Sequence, residues 1–139
     1  MRDIYENSVR FEETDAQGIV FYGNYVTYQD EAVTEFFNAV GYGYEDFEER
    51  DWDVRIVNVE LDYRGSATFR DDLVNAMRVS AVKESSIEFE YECRRAEDGE
   101  VLVEGRVTHV AVEGEEPTRV PDGFREAVVG FQDEPPETV

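Results

Sequence analysis

One segment of the chain has the spacing of a long amphipathic helix, and segments patterned as β-strands surround it. Large apolar residues recur there on one face at helical intervals: Val26, Val33, Phe36, Phe37 and Val40. Asn24 is a suitable N-cap, and Gly41 is a suitable residue just past the C-terminus. The pattern predicts one helix of about four turns, with Gln29, Asp30 and Glu31 turned away from the core.

Strand patterns lie on both sides of this helix. Ser8 to Phe11 alternates and predicts a first strand before it. Four alternating segments follow the helix: 57–63, 73–82, 87–93 and 101–111. Asp98-Gly99 marks a turn before the last strand, and a short helix is predicted around Tyr44 to Arg50. This order predicts an α+β fold, in which a curved antiparallel sheet of about five strands wraps one long central helix.

The length and composition of the chain limit the number of domains and the class of protein. With 139 residues, of which 41% are hydrophobic, the chain is long enough for one domain with its own core. We expect residues 1–131 to form that domain and the polar, proline-bearing residues 132–139 to form a flexible tail. No apolar run approaches the ~20 residues of a membrane span, and the first residues lack the apolar stretch of a secretory signal. A cytoplasmic location without membrane contact is therefore expected.

The net charge of the chain disfavours some classes of binding partner. The formal net charge is -21, from 34 acidic and 13 basic residues, and Lys83 is the single lysine. This sign disfavours nucleic acid as a partner, because phosphate contacts need cations. Acidic residues are dispersed along the whole chain, a distribution typical of proteins adapted to multimolar salt, where charge repulsion is screened. An ordinary acidic protein from a low-salt organism is the alternative interpretation.

Cysteine and histidine are too scarce for several kinds of site. One cysteine, Cys93, allows neither an internal disulfide nor a thiolate zinc site. One histidine, His109, removes most histidine-based metal sites and catalytic triads. We expect both residues to be structural and expect no metal or redox cofactor. Any catalysis then depends on carboxylates, hydroxyls and backbone amides.

The candidate site lies between the first strand and the helix. This segment reads Thr14-Asp15-Ala16-Gln17-Gly18-Ile19-Val20-Phe21-Tyr22-Gly23-Asn24-Tyr25, a long loop for so small a domain. Asp15 lies a few residues ahead of glycines and of a helix N-terminus, whose free N–H groups can receive a developing oxyanion. The residues alone leave open whether Asp15 is catalytic or only a cap or turn residue.

The same segment resembles the active-site loop of hot-dog-fold acyl-CoA thioesterases, most closely the 4-hydroxybenzoyl-CoA thioesterase branch and its Tol-Pal-associated relatives. Two further segments are similar to that family: 62–73, like its second strand and following turn, and 120–125, like its closing helix. The resemblance covers nearly the whole of residues 8–131. It implies a helix wrapped by an antiparallel sheet, working on coenzyme A thioesters as a homodimer or a tetramer of dimers.

The resemblance also implies roles for individual residues. Asp15 is the catalytic carboxylate, and the backbone N–H of Tyr22 polarises the thioester carbonyl. Four residues belong to the substrate site: Gly18, Gly23, Asn24 and Tyr25. Many relatives carry a histidine where this chain has Phe21 and Tyr22, so the variant of the mechanism without that histidine fits better.

The expected activity is hydrolysis of an acyl-CoA thioester to free acid and coenzyme A, with Asp15 as general base or as nucleophile. Arg94, Arg95 and Arg119 are candidates for the coenzyme A phosphates, or else for surface ion pairs. Two alternatives are a thioesterase acting on acyl-carrier protein and a non-catalytic acyl-CoA-binding module. The hydratase branch of the fold is disfavoured because its Asp-His pair is absent.

Overall fold

The computed structural model describes residues 1–48 and 50–138, in which one long helix packs on one curved sheet. Within the described residues, five long strands lie in the spatial order β1-β3-β4-β5-β2 with antiparallel pairing: β1 Arg2–Ser8, β2 Asp53–Tyr63, β3 Asp72–Val82, β4 Ser86–Arg95 and β5 Val101–Glu113. Two short strands, β6 (Glu116–Pro117) and β7 (Glu137–Thr138), pair with β5 and β3. The helices are α1 Asn24–Ala39, α2 Tyr44–Glu48 and α3 Asp122–Phe131. The predicted hot-dog fold is confirmed.

The centre of the sheet follows the predicted alternation. All four apolar residues of β4 are buried: Ile87, Phe89, Tyr91 and Cys93. The glutamates between them are partly exposed on the other face. β4 therefore presents one apolar face to the helix layer, as a sheet covered on one side requires.

Aromatic rings join the helix to the sheet. Phe36 lies 5.4 Å from Phe89 between ring centroids, and Phe37 lies 5.7 Å from the same ring. Phe124 of α3 contacts Phe37 at 5.7 Å from the other side. Burying each such side chain contributes about 1.5–3 kcal/mol, so this cluster fixes α1 against the sheet.

The bounds of α1 agree with the prediction, but its buried face differs. Gly41 has the positive φ of 84° expected just past the helix. Gly23, not Asn24, occupies the N-cap position. Val26 is 42% exposed, whereas Gln29 is only 2% exposed. The predicted stripe is therefore wrong at both positions, because the buried face also includes the tyrosines of the first turns and takes in one polar residue with them.

The first strand lies earlier than predicted. β1 covers Arg2–Ser8, and residues 11–13 form a short 3₁₀ turn. Val9, which carried the predicted alternation, is buried, and its N–H donates to the carbonyl of Asp71 at 2.9 Å. The polar sequence of β1 is accommodated because the strand lies at one edge of the sheet, paired only with β3 among the described strands.

The other edge of the sheet is unusually apolar. β2 pairs with β5 on one side, and no described strand lies on its other side. Its apolar residues are largely exposed, including Ile56 at 52%, Val57 at 58% and Val59 at 40%. A register shift between Ile56 and Asn58 interrupts the pairing of β2 with β5 just where the apolar residues are exposed. The predicted strand over residues 57–63 is confirmed as part of β2.

The C-terminal segment, predicted to be a flexible tail, lies along β3. Both ends of the Gln132 amide bond to the backbone of Val79, at 2.9 and 2.7 Å. Pro136 is buried, and β7 pairs with Ala81 and Val82. Glu49, the part of the predicted short helix that follows α2, lies outside the described residues. No helix within 1–48 or 50–138 is both long and apolar enough to cross a bilayer.

Candidate active site

The loop between β1 and α1 is a small hairpin pinned to the domain. Asp15 N–H donates to the carbonyl of Ile19 at 2.8 Å, and Phe21 N–H donates to that of Glu13 at 2.9 Å. Val20 N–H continues the pairing outward to the carbonyl of Ala67 at 2.9 Å. The loop predicted from the sequence is therefore an ordered element whose backbone groups are largely satisfied.

Asp15 lies in the tight turn at the tip of this hairpin. Its Oδ1 accepts the Gln17 N–H at 2.8 Å, and its carbonyl accepts the Gly18 N–H at 3.0 Å. Gly18 has a φ of 80°, a conformation that glycine adopts at little cost. The other carboxylate oxygen, Oδ2, has no hydrogen-bond partner in the described chain. The turn therefore fixes the orientation of Asp15 while leaving one oxygen of a half-buried carboxylate available.

The start of α1 supplies free donors. Within the described residues, the N–H groups of Tyr22 and Gly23 have no hydrogen-bond acceptor, whereas Asn24 N–H already bonds to the carbonyl of Phe21 at 2.9 Å. Tyr22 is 65% exposed, so its side chain lies largely in solvent. An added Cβ at Gly23 would lie 2.9 Å from a carbon of the Phe21 ring. Glycine at this position therefore lets the chain turn sharply into the helix.

Asn24 and Tyr25 are assigned to the substrate site by resemblance. In the structure, their side chains form hydrogen bonds to the backbone around the hairpin. The Asn24 Nδ2 donates to the carbonyl of Glu13 at 2.8 Å. The Tyr25 hydroxyl accepts the N–H of Ala67 at 3.0 Å, and the residue is 2% exposed. Desolvation raises the pKa of Tyr25, so this hydroxyl remains neutral. Both side chains fix where the helix begins relative to the hairpin.

Tyr63 of β2 connects the helix start to the sheet edge. Its hydroxyl donates to the carbonyl of Tyr22 at 3.1 Å, and its ring lies 6.3 Å from the Tyr22 ring and 5.8 Å from the Tyr25 ring. The free N–H groups and the apolar edge strand therefore border the same region of the surface.

A groove of about 330 Å³ runs between α1 and the β2–β5 edge. Eight residues line it: Val26, Thr27, Gln29, Asp30, Val33, Ile56, Val59 and Val107. Five of the eight are Val or Ile, and Gln29 is the one buried polar side chain among them. Sequence reasoning missed this groove because it depends on the exposed edge of β2 and on the polar residue within the buried stripe of α1.

The predicted arginine candidates are held in ion pairs. Arg94 bonds to Asp3, Arg95 contacts three carboxylates with a shortest distance of 2.6 Å, and Arg119 lies 3.0 Å from Asp122. Hydrogen bonds to these carboxylates raise the pKa of Arg95 and Arg119. The three guanidinium groups are therefore engaged within the domain.

Arg70 is a basic residue that sequence reasoning missed. It has a φ of 74° in the turn from Thr68 to Asp71, a conformation that costs a non-glycine residue roughly 1–2 kcal/mol. Thr68 pairs with Ile19 of the hairpin, so this turn adjoins the loop that carries Asp15. In the described part of the chain, the Arg70 guanidinium lies over the Phe69 ring at 5.2 Å and forms no ion pair.

The remaining reactive side chains, Cys93 and His109, are buried. Cys93 is fully buried, and desolvation raises the pKa of its thiol to about 12, so the thiolate is inaccessible at neutral pH. His109 is buried between Phe37 and Phe89, and desolvation lowers its pKa to about 4. These surroundings match the structural roles expected for both residues.

The chain is similar to several known proteins. A protein of Aquifex aeolicus named "Putative esterase" is 39% identical over 70 residues, which cover 50% of this chain and 54% of that protein. The match thus spans about half the length of that relative. A hypothetical protein from Thermus thermophilus has a structure that superposes with a TM-score of 0.84 at 26% identity, covering 94% of this chain and 100% of the other.

A gentisyl-coenzyme A thioesterase has a similar structure. Its TM-score is 0.79 at 26% identity, with 91% of this chain and 98% of the other covered. The family model of the thioesterase-like superfamily matches residues 9–128. On this match, which includes the hairpin, α1 and the whole sheet from β2 to β5, the chain belongs to the thioesterase-like superfamily.

Proposed function

We propose that this protein is an acyl-CoA thioesterase that hydrolyses an acyl-CoA thioester to the free acid and coenzyme A. One observation carries the proposal: the same loop contains an available carboxylate oxygen on Asp15 and the free N–H groups of Tyr22 and Gly23. Hydrolysis of a thioester needs a base or nucleophile and a place for the oxyanion, and this loop supplies both.

The Tyr22 N–H, at the positive end of the α1 dipole, would stabilise the negative charge that develops on the carbonyl oxygen. Asp15 Oδ2 would then act in one of two ways. As a general base, it takes a proton from water while the water oxygen attacks the carbonyl carbon, and the coenzyme A thiolate leaves. As a nucleophile, it forms a mixed anhydride with release of the thiolate, and water then cleaves the anhydride.

The gentisyl-coenzyme A thioesterase, at 26% identity, supports an acyl-CoA substrate over an acyl-carrier-protein substrate. The loop motif supports the 4-hydroxybenzoyl-CoA thioesterase branch, and the dispersed carboxylates support a halophilic source. Arg70, free of ion pairs beside the loop, is the cation that we assign to the coenzyme A phosphates in place of the paired arginines. A non-catalytic acyl-CoA-binding module is less consistent with the site, because binding alone has no need of a carboxylate beside the carbonyl.

The working form in this proposal is a homodimer or a tetramer of dimers. The unpaired edge of β2, with Ile56, Val57 and Val59 exposed, is a surface that a second copy would cover. The groove opens beside that edge, so the acyl group would lie close to the subunit interface. Sedimentation in high salt should give at least a dimer. A monomer that still turned over thioester would refute a site shared between subunits.

The function is tested by following thiol release from a panel of aromatic, short-chain and long-chain acyl-CoAs in molar potassium chloride. We expect turnover of at least one class, with the same acyl group on carrier protein released more slowly. Binding of the panel without release would favour the non-catalytic module. Faster release from the carrier protein would favour the alternative substrate.

A further inference from the structure

We propose that Tyr63 is a positioning residue for the oxyanion site, because its hydroxyl orients and polarises the peptide between Tyr22 and Gly23. The proposal rests on the thioesterase function above and adds a residue from a different part of the chain. Tyr63 lies in β2, 41 positions beyond Tyr22, and its hydroxyl donates to the Tyr22 carbonyl at 3.1 Å. It acts through this peptide and not through contact with the thioester.

Within the described residues, two consecutive peptides at the start of α1 present free N–H groups, and in each peptide the carbonyl is bonded. The carbonyl of the first, on Phe21, accepts the Asn24 N–H at 2.9 Å. The carbonyl of the second, on Tyr22, accepts the Tyr63 hydroxyl at 3.1 Å and the Tyr25 N–H at 3.3 Å. The second peptide therefore receives its shorter hydrogen bond from a side chain of the edge strand.

A bond to the carbonyl affects the N–H of the same peptide. A trans peptide is planar, so its C=O and N–H point in opposite directions and move together. A donor held at the Tyr22 carbonyl therefore helps to fix the direction of the Gly23 N–H. It also strengthens that N–H as a donor, because hydrogen bonds in a chain polarise one another. Gly23 has helical φ and ψ angles of -64° and -23°, so its N–H points out of the helix N-terminus with that of Tyr22.

The hydroxyl of Tyr63 can be removed without removing the contacts of its ring. The ring centroid lies 6.3 Å from that of Tyr22 and 5.8 Å from that of Tyr25, contacts that phenylalanine would retain. Tyr63 is 48% exposed, and a hydrogen bond that water can replace contributes little net stability. Desolvation raises the pKa of Tyr63, so its hydroxyl stays protonated and able to donate at neutral pH. Tyr63→Phe therefore isolates the donor.

The first test measures thiol release with the best acyl-CoA of the panel. Loss of a whole oxyanion donor lowers kcat by roughly 100- to 1,000-fold, and one hydrogen bond strengthens the next by about 10–30%. Applied on the free-energy scale, this share predicts that Tyr63→Phe lowers kcat by roughly two- to eightfold. KM should stay unchanged, because the donor matters most when charge develops on the oxygen.

The matched control is Tyr44→Phe, which removes the hydroxyl of a residue that is 77% exposed on α2. It should change neither kcat nor KM. An unchanged kcat in Tyr63→Phe, or an equal fall in both variants, would overturn the proposal.

The carbonyl stretching frequency of the bound thioester provides a readout that does not depend on turnover. Asp15→Asn and the double variant Asp15→Asn/Tyr63→Phe are compared by difference infrared spectroscopy, with the same acyl-CoA carrying an isotope-labelled carbonyl. Hydrogen bonds from the free N–H groups should shift the stretch to lower frequency on binding. The shift should be smaller in the double variant while Kd is unchanged, and an equal shift in the two proteins would contradict the role of the Tyr63 hydroxyl.

The melting temperature separates a positioning role from a structural one. Tyr63→Phe should lower it less than Tyr25→Phe, because the Tyr25 hydroxyl accepts a buried N–H, that of Ala67. A loss as large as that in Tyr25→Phe would show that the Tyr63 hydroxyl is a structural anchor, and the positioning role would be wrong. A wild type that released thiol from no acyl-CoA would instead refute the proposed function itself.

Discussion

Protonation of His109 should make the protein lose stability at mildly acidic pH. The imidazole is 3% exposed, its Nδ1 has no partner in the described chain, and the nearest ring centroids are those of Phe89 at 5.4 Å and Phe37 at 5.9 Å. Desolvation by this apolar site lowers the pKa of His109 from 6.5 to about 4. The neutral imidazole is therefore the form that the fold accommodates.

The sign of the effect follows from proton binding. The unfolded chain binds a proton at this histidine below pH ~6.5, whereas the folded chain does so only below about 4. The contribution of His109 is therefore fully present above pH ~6.5 and is lost as the pH falls through that window. Linkage gives about 2 kcal/mol of lost unfolding free energy between pH 8 and pH 5.

His109→Leu isolates this effect. Urea unfolding would be measured at pH 8 and pH 5 for the wild type and the variant, in molar potassium chloride and at one fixed protein concentration. Both proteins share the titration of the carboxylates, so the difference between their losses reports His109 alone. The wild type should lose about 2 kcal/mol more than the variant. An equal loss of unfolding free energy in the two proteins would refute the lowered pKa of His109 in the folded state.

Two further predictions concern stability. The melting temperature should rise from millimolar to molar potassium chloride, because at a net charge of -21 the screening length falls from roughly 30 Å at 0.01 M to roughly 3 Å at 1 M. A flat or falling midpoint in thermal melts would contradict the proposed adaptation to salt. Tyr25→Phe should cost about 1–3 kcal/mol in urea unfolding, since the buried Ala67 N–H loses its acceptor. Tyr63→Phe, which removes a hydroxyl bonded at the exposed Tyr22 carbonyl, should cost less, and the reverse order would show that Tyr25 does not anchor the loop.

Periodicity in the sequence was enough to predict the central elements of the fold. The 3.6-residue spacing and Gly41 placed α1, and strict alternation placed β4, because both signals are local. β1 was placed too late because its pairing with β3 joins residues about 70 positions apart, and its polar sequence carries no apolar alternation. Pairing at a sheet edge depends on a distant partner, which local patterns do not contain.

The ordered loop before α1 could also be predicted from the sequence, because it lies in one continuous segment. The roles of Asp15 and Tyr22 rest on the resemblance of that segment to a known family and stay predictions. Gln29 was assigned to the solvent face because a glutamine in an amphipathic helix is usually exposed. Its burial depends on Gly105, from a strand more than 70 residues away. The groove likewise arises only when β2 becomes an exposed edge beside α1.

In the proposed function, the Asp15 carboxylate drives hydrolysis of the thioester. Asp15→Asn retains an Oδ1 that can accept the Gln17 N–H, bonded at 2.8 Å in the wild type, so the turn should persist while the base or nucleophile is lost. The matched control is Glu12→Gln, which removes an exposed carboxylate from the same region of the chain. Thiol release measured with the best acyl-CoA of the panel should show kcat lower by at least ~100-fold in Asp15→Asn and unchanged in Glu12→Gln. A near wild-type kcat in Asp15→Asn would contradict the catalytic role of Asp15.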